Sequence, residues 1–165
     1  MQLKNLKISF IFKQPIIDKE EYDVNKINFK IGGATFTIYK HSPMLVNVTG
    51  IKDMKEVDEY RRIIERKYNQ MIAHERIDGM FFSHKDNKKI DLKLIYYWLK
   101  ETNLDYFVDF NEETFHGMYL KPRDRIYPTI ILFRSGTFTL MGGKNFDVID
   151  ESEKFVTDLV LNFQY

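Results

Sequence analysis

The sequence predicts an α+β fold: two pseudo-repeats, each running strand, helix, strands, helix, that share one curved antiparallel sheet with the helices on its convex face. Three observations predict it. The first lies in residues 126–144. There the apolar, partly β-branched run Thr129–Phe133 leads through Arg134-Ser135-Gly136 into the alternating run Thr137–Met141, which Gly142-Gly143 stops. The second is that residues 34–52 repeat the pattern, with a β-rich run, a turn carrying Ser42 and Pro43, an alternating run, then Gly50-Ile51-Lys52. The third is the register of the segments after the two hairpins. Thr49-Gly50-Ile51-Lys52 through Asp58-Glu59 aligns with Met141-Gly142-Gly143-Lys144 through Asp150-Glu151, and Gly50 and Gly142 stand 92 residues apart. A repeat near half the chain length decides the architecture. It divides a single domain, residues 1–165, into a first repeat over 1–73 and a second over 74–165.

Along the chain, Lys4–Phe12 alternates and then turns wholly apolar, as a strand does, and Pro15 interrupts it. Ile16–Asp23 is short and acidic, with room for two helical turns at most. Ile27–Ile31 alternates up to the Gly32-Gly33 turn, and Thr35–Tyr39 with Leu45–Thr49 forms the first hairpin. Asp58–Ala73 carries Tyr60, Ile63, Ile64, Lys67, Tyr68 and Met71 at helical spacing, with Asp58 and Glu59 favourable at a helix N-terminus. Gly79–Ser83 reads as a strand. Asp91 caps a helix over Leu92–Thr102 that turns Leu94, Ile95, Trp98 and Leu99 inward, and Asn103 ends it. Phe107–Phe110 is extended and Thr114–Leu120 is a strand. A last helix from Glu151 aligns Phe155, Val156, Leu159, Val160 and Phe163.

Composition narrows the function classes. At 44% hydrophobic and 15% aromatic residues the chain is far from a disordered composition. There is no apolar run of membrane-spanning length, so no membrane partner is expected. With no cysteine there are no disulfides and no thiolate metal sites, which fits a reducing, intracellular setting. His41, His74, His84 and His116 are scattered without metal-ligand spacing, Glu20-Glu21 and Glu112-Glu113 read as solvated pairs, and Gly32-Gly33 and Gly142-Gly143 read as turns rather than a phosphate cradle. No nucleophile-and-base arrangement is present, so no catalytic residue, metal or cofactor is expected. Net charge is only +1, divided as +4 over residues 1–72 and −3 over residues 73–165, less basic than a nucleic-acid binder usually is.

Two units that share a sheet cover each other's unpaired edge and leave one face open for binding. On this frame the residues resemble the TATA-box-binding protein (TBP) family. Thr114-Phe115-His116-Gly117-Met118-Tyr119 is similar to the family's Phe-Pro-Gly-Leu-Ile-Tyr strand, with Lys121-Pro122-Arg123 near its Lys-Pro-Arg. The run Ile130 to Lys144 is similar to Leu-Leu-Ile-Phe-Val-Ser-Gly-Lys-Val-Val-Leu-Thr-Gly-Ala-Lys. In the first half, Leu3-Lys4-Asn5-Leu6 resembles Leu-Gln-Asn-Ile, and Val48-Thr49-Gly50-Ile51-Lys52 resembles Val-Thr-Gly-Ala-Lys.

The resemblance implies a saddle of two β-α-β4-α repeats on AT-rich promoter DNA, bound in the minor groove, with transcription factors or RNA polymerase subunits as partners. It implies action in the nucleus or at a site of viral transcription, and it allows a hetero-oligomer. Family members pry base steps open with two phenylalanines per repeat, apolar wedges that kink the duplex. The matching positions are Phe29 and Tyr39 in the first half and Phe115 and Phe133 in the second. Asn5 and Thr49 match family positions that donate to groove acceptors. Their second-half counterparts are Asp78 and Met141, which weaken A·T readout there. Lys121, Arg123 and Arg134 are placed to meet phosphates. The first half's leading helix is short or missing, and its turn after Tyr39 is longer by about two residues than the family's. These departures mark a divergent member, of the sort large DNA viruses encode. Two readings from different classes emerge: a TBP-like transcription initiation factor, and a protein-interaction module on the same fold that has lost DNA binding.

Overall fold

The computed structural model describes residues 1–18, 23–102 and 104–165. Part of the short acidic helix expected over Ile16–Asp23, and the Asn103 stop, lie outside the described residues. Among those described there are nine strands and three helices. The chain divides into two compact units, the first Lys4–Gly79 and the second Met80–Tyr165 joined by Met1–Leu3. The strand pairings within each unit are antiparallel.

The first unit contains most of β1 (Gln2–Phe12), then β2 (Lys26–Ile31), β3 (Ala34–Tyr39), β4 (Leu45–Ile51) and α1 (Lys55–Tyr68), with strand order β2-β3-β4-β1. Period-two alternation puts Leu6, Ile8, Phe10 and Phe12 with Ala34, Phe36, Ile38, Val46 and Val48 on one buried face. That face meets α1: Tyr60 lies edge-on to Phe36 and Tyr68 edge-on to Phe12. Helix α1 begins ahead of the expected Asp58 because Asp53 and Glu56 supply its missing caps. Asp53 accepts from the Lys55 amide, and Glu56 accepts from the Lys52 and Asp53 amides at 2.9 and 3.0 Å. It ends at Tyr68 because Asn69 turns left-handed (φ 49°).

Strand β5 (Ile72–His84) begins directly after that cap, well before the expected Gly79, and runs from the first unit into the second. Glu65 accepts from the Ile72 amide at 2.9 Å, and Arg61 pairs with Glu75, so α1 pins the polar start of the strand that hydropathy alone does not mark.

The second unit has strand order β5-β9-β8-β7-β6, with α2 (Leu92–Thr102), β6 (Tyr106–Phe110), β7 (Gly117–Pro122), β8 (Thr129–Phe133), β9 (Phe138–Gly143) and α3 (Phe146–Asn162). Met118, Leu120, Ile130, Leu132, Phe138 and Leu140 are buried on the helix side. Tyr106 stacks on Phe155 of α3 and Phe110 packs near Tyr96 of α2. Asp91 caps α2 as expected, accepting from the Lys93 and Leu94 amides. Helix α3 starts earlier than Glu151 because Asn145 caps it, accepting from the Val148 amide at 3.0 Å. Strand β7 starts at Gly117, not Thr114. Asn111 folds the preceding residues into a turn, its carbonyl accepting from the Thr114 and Phe115 amides.

The units repeat each other in detail. Leu6 pairs with Ile51 and Met80 with Gly143, each just before a register shift, and Thr35 pairs with Thr49 as Thr129 pairs with Met141. Thr35 and Thr129 differ by 94 residues and Thr49 and Met141 by 92, so the connection after β3 is two residues longer than the one after β8.

Candidate nucleic-acid interface

In each unit the sheet face turned away from the helices is the candidate surface. In the second unit it carries an aromatic cluster. The Phe115 ring lies 5.9 Å from Phe133 and 4.9 Å from Tyr119. All three are half-buried, so part of each ring is presented to solvent. Gly117 pairs with Phe133 and is what makes room for the pair. A Cβ at Gly117 would come within 2.6 Å of the Phe115 ring and 3.1 Å of the Phe133 ring. Along the same face stand Phe107, Ile131 and Met141, with Phe107 60% and Met141 41% exposed. This face is apolar where an exposed strand face is usually polar, which marks it as a contact surface.

The first unit is different. Strand β2 presents Ile27, Phe29 and Ile31 to the helix side, in register with Ile38, Phe36 and Ala34. Phe29 stacks on Phe36 at 5.2 Å and lies under the ammonium of Lys67 from α1. It is therefore a packing residue on the face opposite the one a wedge needs, which corrects the assignment made from sequence. Register identifies what stands at the wedge position instead. Lys26 pairs with Tyr39 as Gly117 pairs with Phe133, so Val24 is the counterpart of Phe115, two residues ahead in each case. Tyr39 does lie on the open face, 36% exposed, with its ring 5.3 Å from His41.

Polar groups dominate the rest of the first unit's open face. Asn28, Thr37, Asn47 and Ser9 form one row across four strands, and Lys30, Thr35 and Thr49 a second. Asn5 is exposed and its Oδ1 accepts from the Gly50 amide at 2.7 Å, which leaves its NH2 group to donate outward. The register makes Gly79, not Asp78, the counterpart of Asn5, because Leu6 corresponds to Met80. Asp78 is instead held inside the first unit, hydrogen-bonded by the buried Ser9 hydroxyl and by Arg76 at 2.7 Å. Met141 does occupy the counterpart of Thr49, so an exposed thioether replaces a hydroxyl.

The three cations expected to meet phosphate all have partners within the second unit. Lys121 lies 3.7 Å from Asp109 and over the Tyr119 ring, Arg123 lies over the Phe107 ring at 5.0 Å, and Arg134 pairs with Glu112. The Arg134 guanidinium holds the Glu112 carboxyl below the ordinary carboxylate range, with Lys93 at 3.2 Å assisting. Lys121 and Arg134 remain well exposed, and exposed pairs of this kind exchange readily.

Tyr119, Phe107, Gly117 and Asn47 are open-face residues to which motif reading gives no site role. All four sit on the open side of the period-two alternation, which is the signal that finds them.

No protein-family model and no curated protein sequence matches the chain. Among solved structures it is similar to Methanococcus jannaschii TBP, with a TM-score of 0.74 over 98% of each chain at 17% identity. That likeness establishes the TBP-like α+β fold.

Proposed function

We propose that this chain is a TBP-like transcription initiation factor that binds AT-rich duplex DNA in the minor groove and brings transcription factors or polymerase subunits to it. The observation that carries the reading is the Phe115–Phe133 pair seated over Gly117 on the open face of the second unit. A flat apolar edge of this kind enters a base step and recovers stacking against the bases it separates. The exposed Asn5 amide, Thr49 and Thr35 supply donors for the acceptors on adenine and thymine. Site, partners and an intracellular place of action belong to this proposal together.

The test is fluorescence anisotropy with an AT-rich duplex across a salt series. Phe115→Ala and Phe133→Ala are each expected to weaken binding by about 1–3 kcal/mol while circular dichroism stays unchanged. Folded variants that bind as tightly as the parent chain overturn the wedge. The second reading, an interaction module without DNA binding, draws on Lys121, Arg123 and Arg134 already having partners in their own unit. It predicts no salt-dependent DNA binding by the parent chain at all.

A further inference from the structure

The two units differ at the one place where a wedge is built. In the second unit the wedge needs three things together: a ring at Phe115, a ring at Phe133, and a residue without Cβ at Gly117 between them. In the first unit the corresponding positions hold Val24, Tyr39 and Lys26. Val24 is aliphatic and cannot stack. Lys26 carries the Cβ that the seat excludes. Phe29, the nearest ring on that strand, is stacked under Lys67 on the helix side. Tyr39 leans on His41 rather than on a second ring across the seat. What the first unit offers in place of a wedge is a hydrogen-bonding surface of Asn28, Thr37, Asn47, Thr35 and Thr49.

We infer that Phe115 and Phe133 of the second unit open the one base step that this chain opens in a bound duplex, and that the first unit, a hydrogen-bonding surface, opens none. The ligand class is therefore an AT-rich duplex with a single deformable pyrimidine–purine step at one end. Such steps unstack most easily, whereas A-tracts are stiff. The asymmetry also fixes polarity, because only one unit is served by the flexible step.

This rests on the DNA-binding reading, and the experiment separates the two. Two duplexes are compared: an A-tract with a pyrimidine–purine step at one end, and an A-tract with such a step at both ends. 2-Aminopurine stands at each step, and its emission rises when a base is unstacked. The expected result is that the one-step duplex binds as tightly as the two-step duplex, apart from the statistical factor of two equivalent steps. Emission from the single step rises on binding, and Phe115→Ala abolishes the rise with the circular dichroism spectrum retained. Roughly tenfold or greater preference for the two-step duplex, the size expected of a second stacking wedge, overturns the inference and leaves DNA binding standing. Tight binding with no rise at the single step also overturns it. If neither duplex binds at any salt concentration, the DNA-binding reading falls and the inference falls with it.

Discussion

Gly50 and Gly142 close equivalent strands with φ of 92° and 89°, a conformation that side chains with a Cβ rarely adopt. Their surroundings differ. A Cβ at Gly50 would come within 2.7 Å of the Gly33 carbonyl oxygen, whereas nothing lies within 4 Å of one at Gly142. Gly142→Ala should therefore cost backbone strain alone, about 1 kcal/mol, and Gly50→Ala should cost more, to about 3 kcal/mol. Urea midpoints at unchanged slope check the ranking, and equal losses would contradict it. The same pair shows what single residues reveal in sequence. Gly50 and Gly142 announce the repeat because both positions need the same backbone. The face of Phe29 was also legible, since it is in phase with Ile27 and Ile31 and so belongs to the apolar side of its strand. Matching it to a family position by residue type overrides that phase and puts it on the wrong side. Val24 was not legible, because only the Lys26–Tyr39 register shows which residue answers to Phe115.

At the scale of elements, periodicity located every strand core and all three helices among the described residues, placed the start of α2, and missed where α1, α3, β5 and β7 start. The start of α1 is set by Asp53, which accepts from the Lys55 amide, and Glu56, which accepts from the Asp53 amide, and that of α3 by the Asn145 cap, all outside the apolar stripes that define each helix. The start of β5 is set by Glu65 and Arg61 reaching from α1, a tertiary effect with no local signal. The α1 cap has a pH signature. The Lys52 amide chiefly favours the Glu56 carboxylate and, with the Asp53 amide and the Tyr60 hydroxyl, holds its pKa below the ordinary 4.5, although desolvation, second in size only to the Lys52 hydrogen bond, pushes the other way. A carboxyl with a depressed folded pKa contributes stability that is present above its unfolded value and lost as pH falls through the folded one. Glu56→Gln should thus lower the thermal midpoint at neutral pH, and the difference should shrink as pH falls below 4.5 through the depressed folded pKa. A midpoint difference that persists unchanged into acid would show that the carboxylate's charge is not what the cap uses.

For the molecule as a whole, the question is how a chain with a net charge of +1 would hold a polyanion. Non-specific affinity for DNA comes from cations that displace counterions, each giving a slope near −0.9 in a plot of log affinity against log salt. The second unit keeps exposed cations, Lys121 among them on the open face, but carboxylates compete for them: Glu112 holds Arg134 and Lys93, and Asp109 holds Lys121. Binding through this face is then predicted to be weak in its salt dependence and dominated by the Phe115–Phe133 wedge and groove hydrogen bonds. Glu112 makes that balance testable, because it is a surface acceptor in the loop before β7 rather than a core residue. Glu112→Gln should release Arg134 to phosphate, tighten binding to AT-rich duplex at low salt, and steepen the salt slope by about one. The effect should vanish in the double variant Glu112→Gln with Arg134→Gln, which separates a freed Arg134 from a general loss of negative charge. An unchanged slope in the single variant would mean that Arg134 does not reach the duplex.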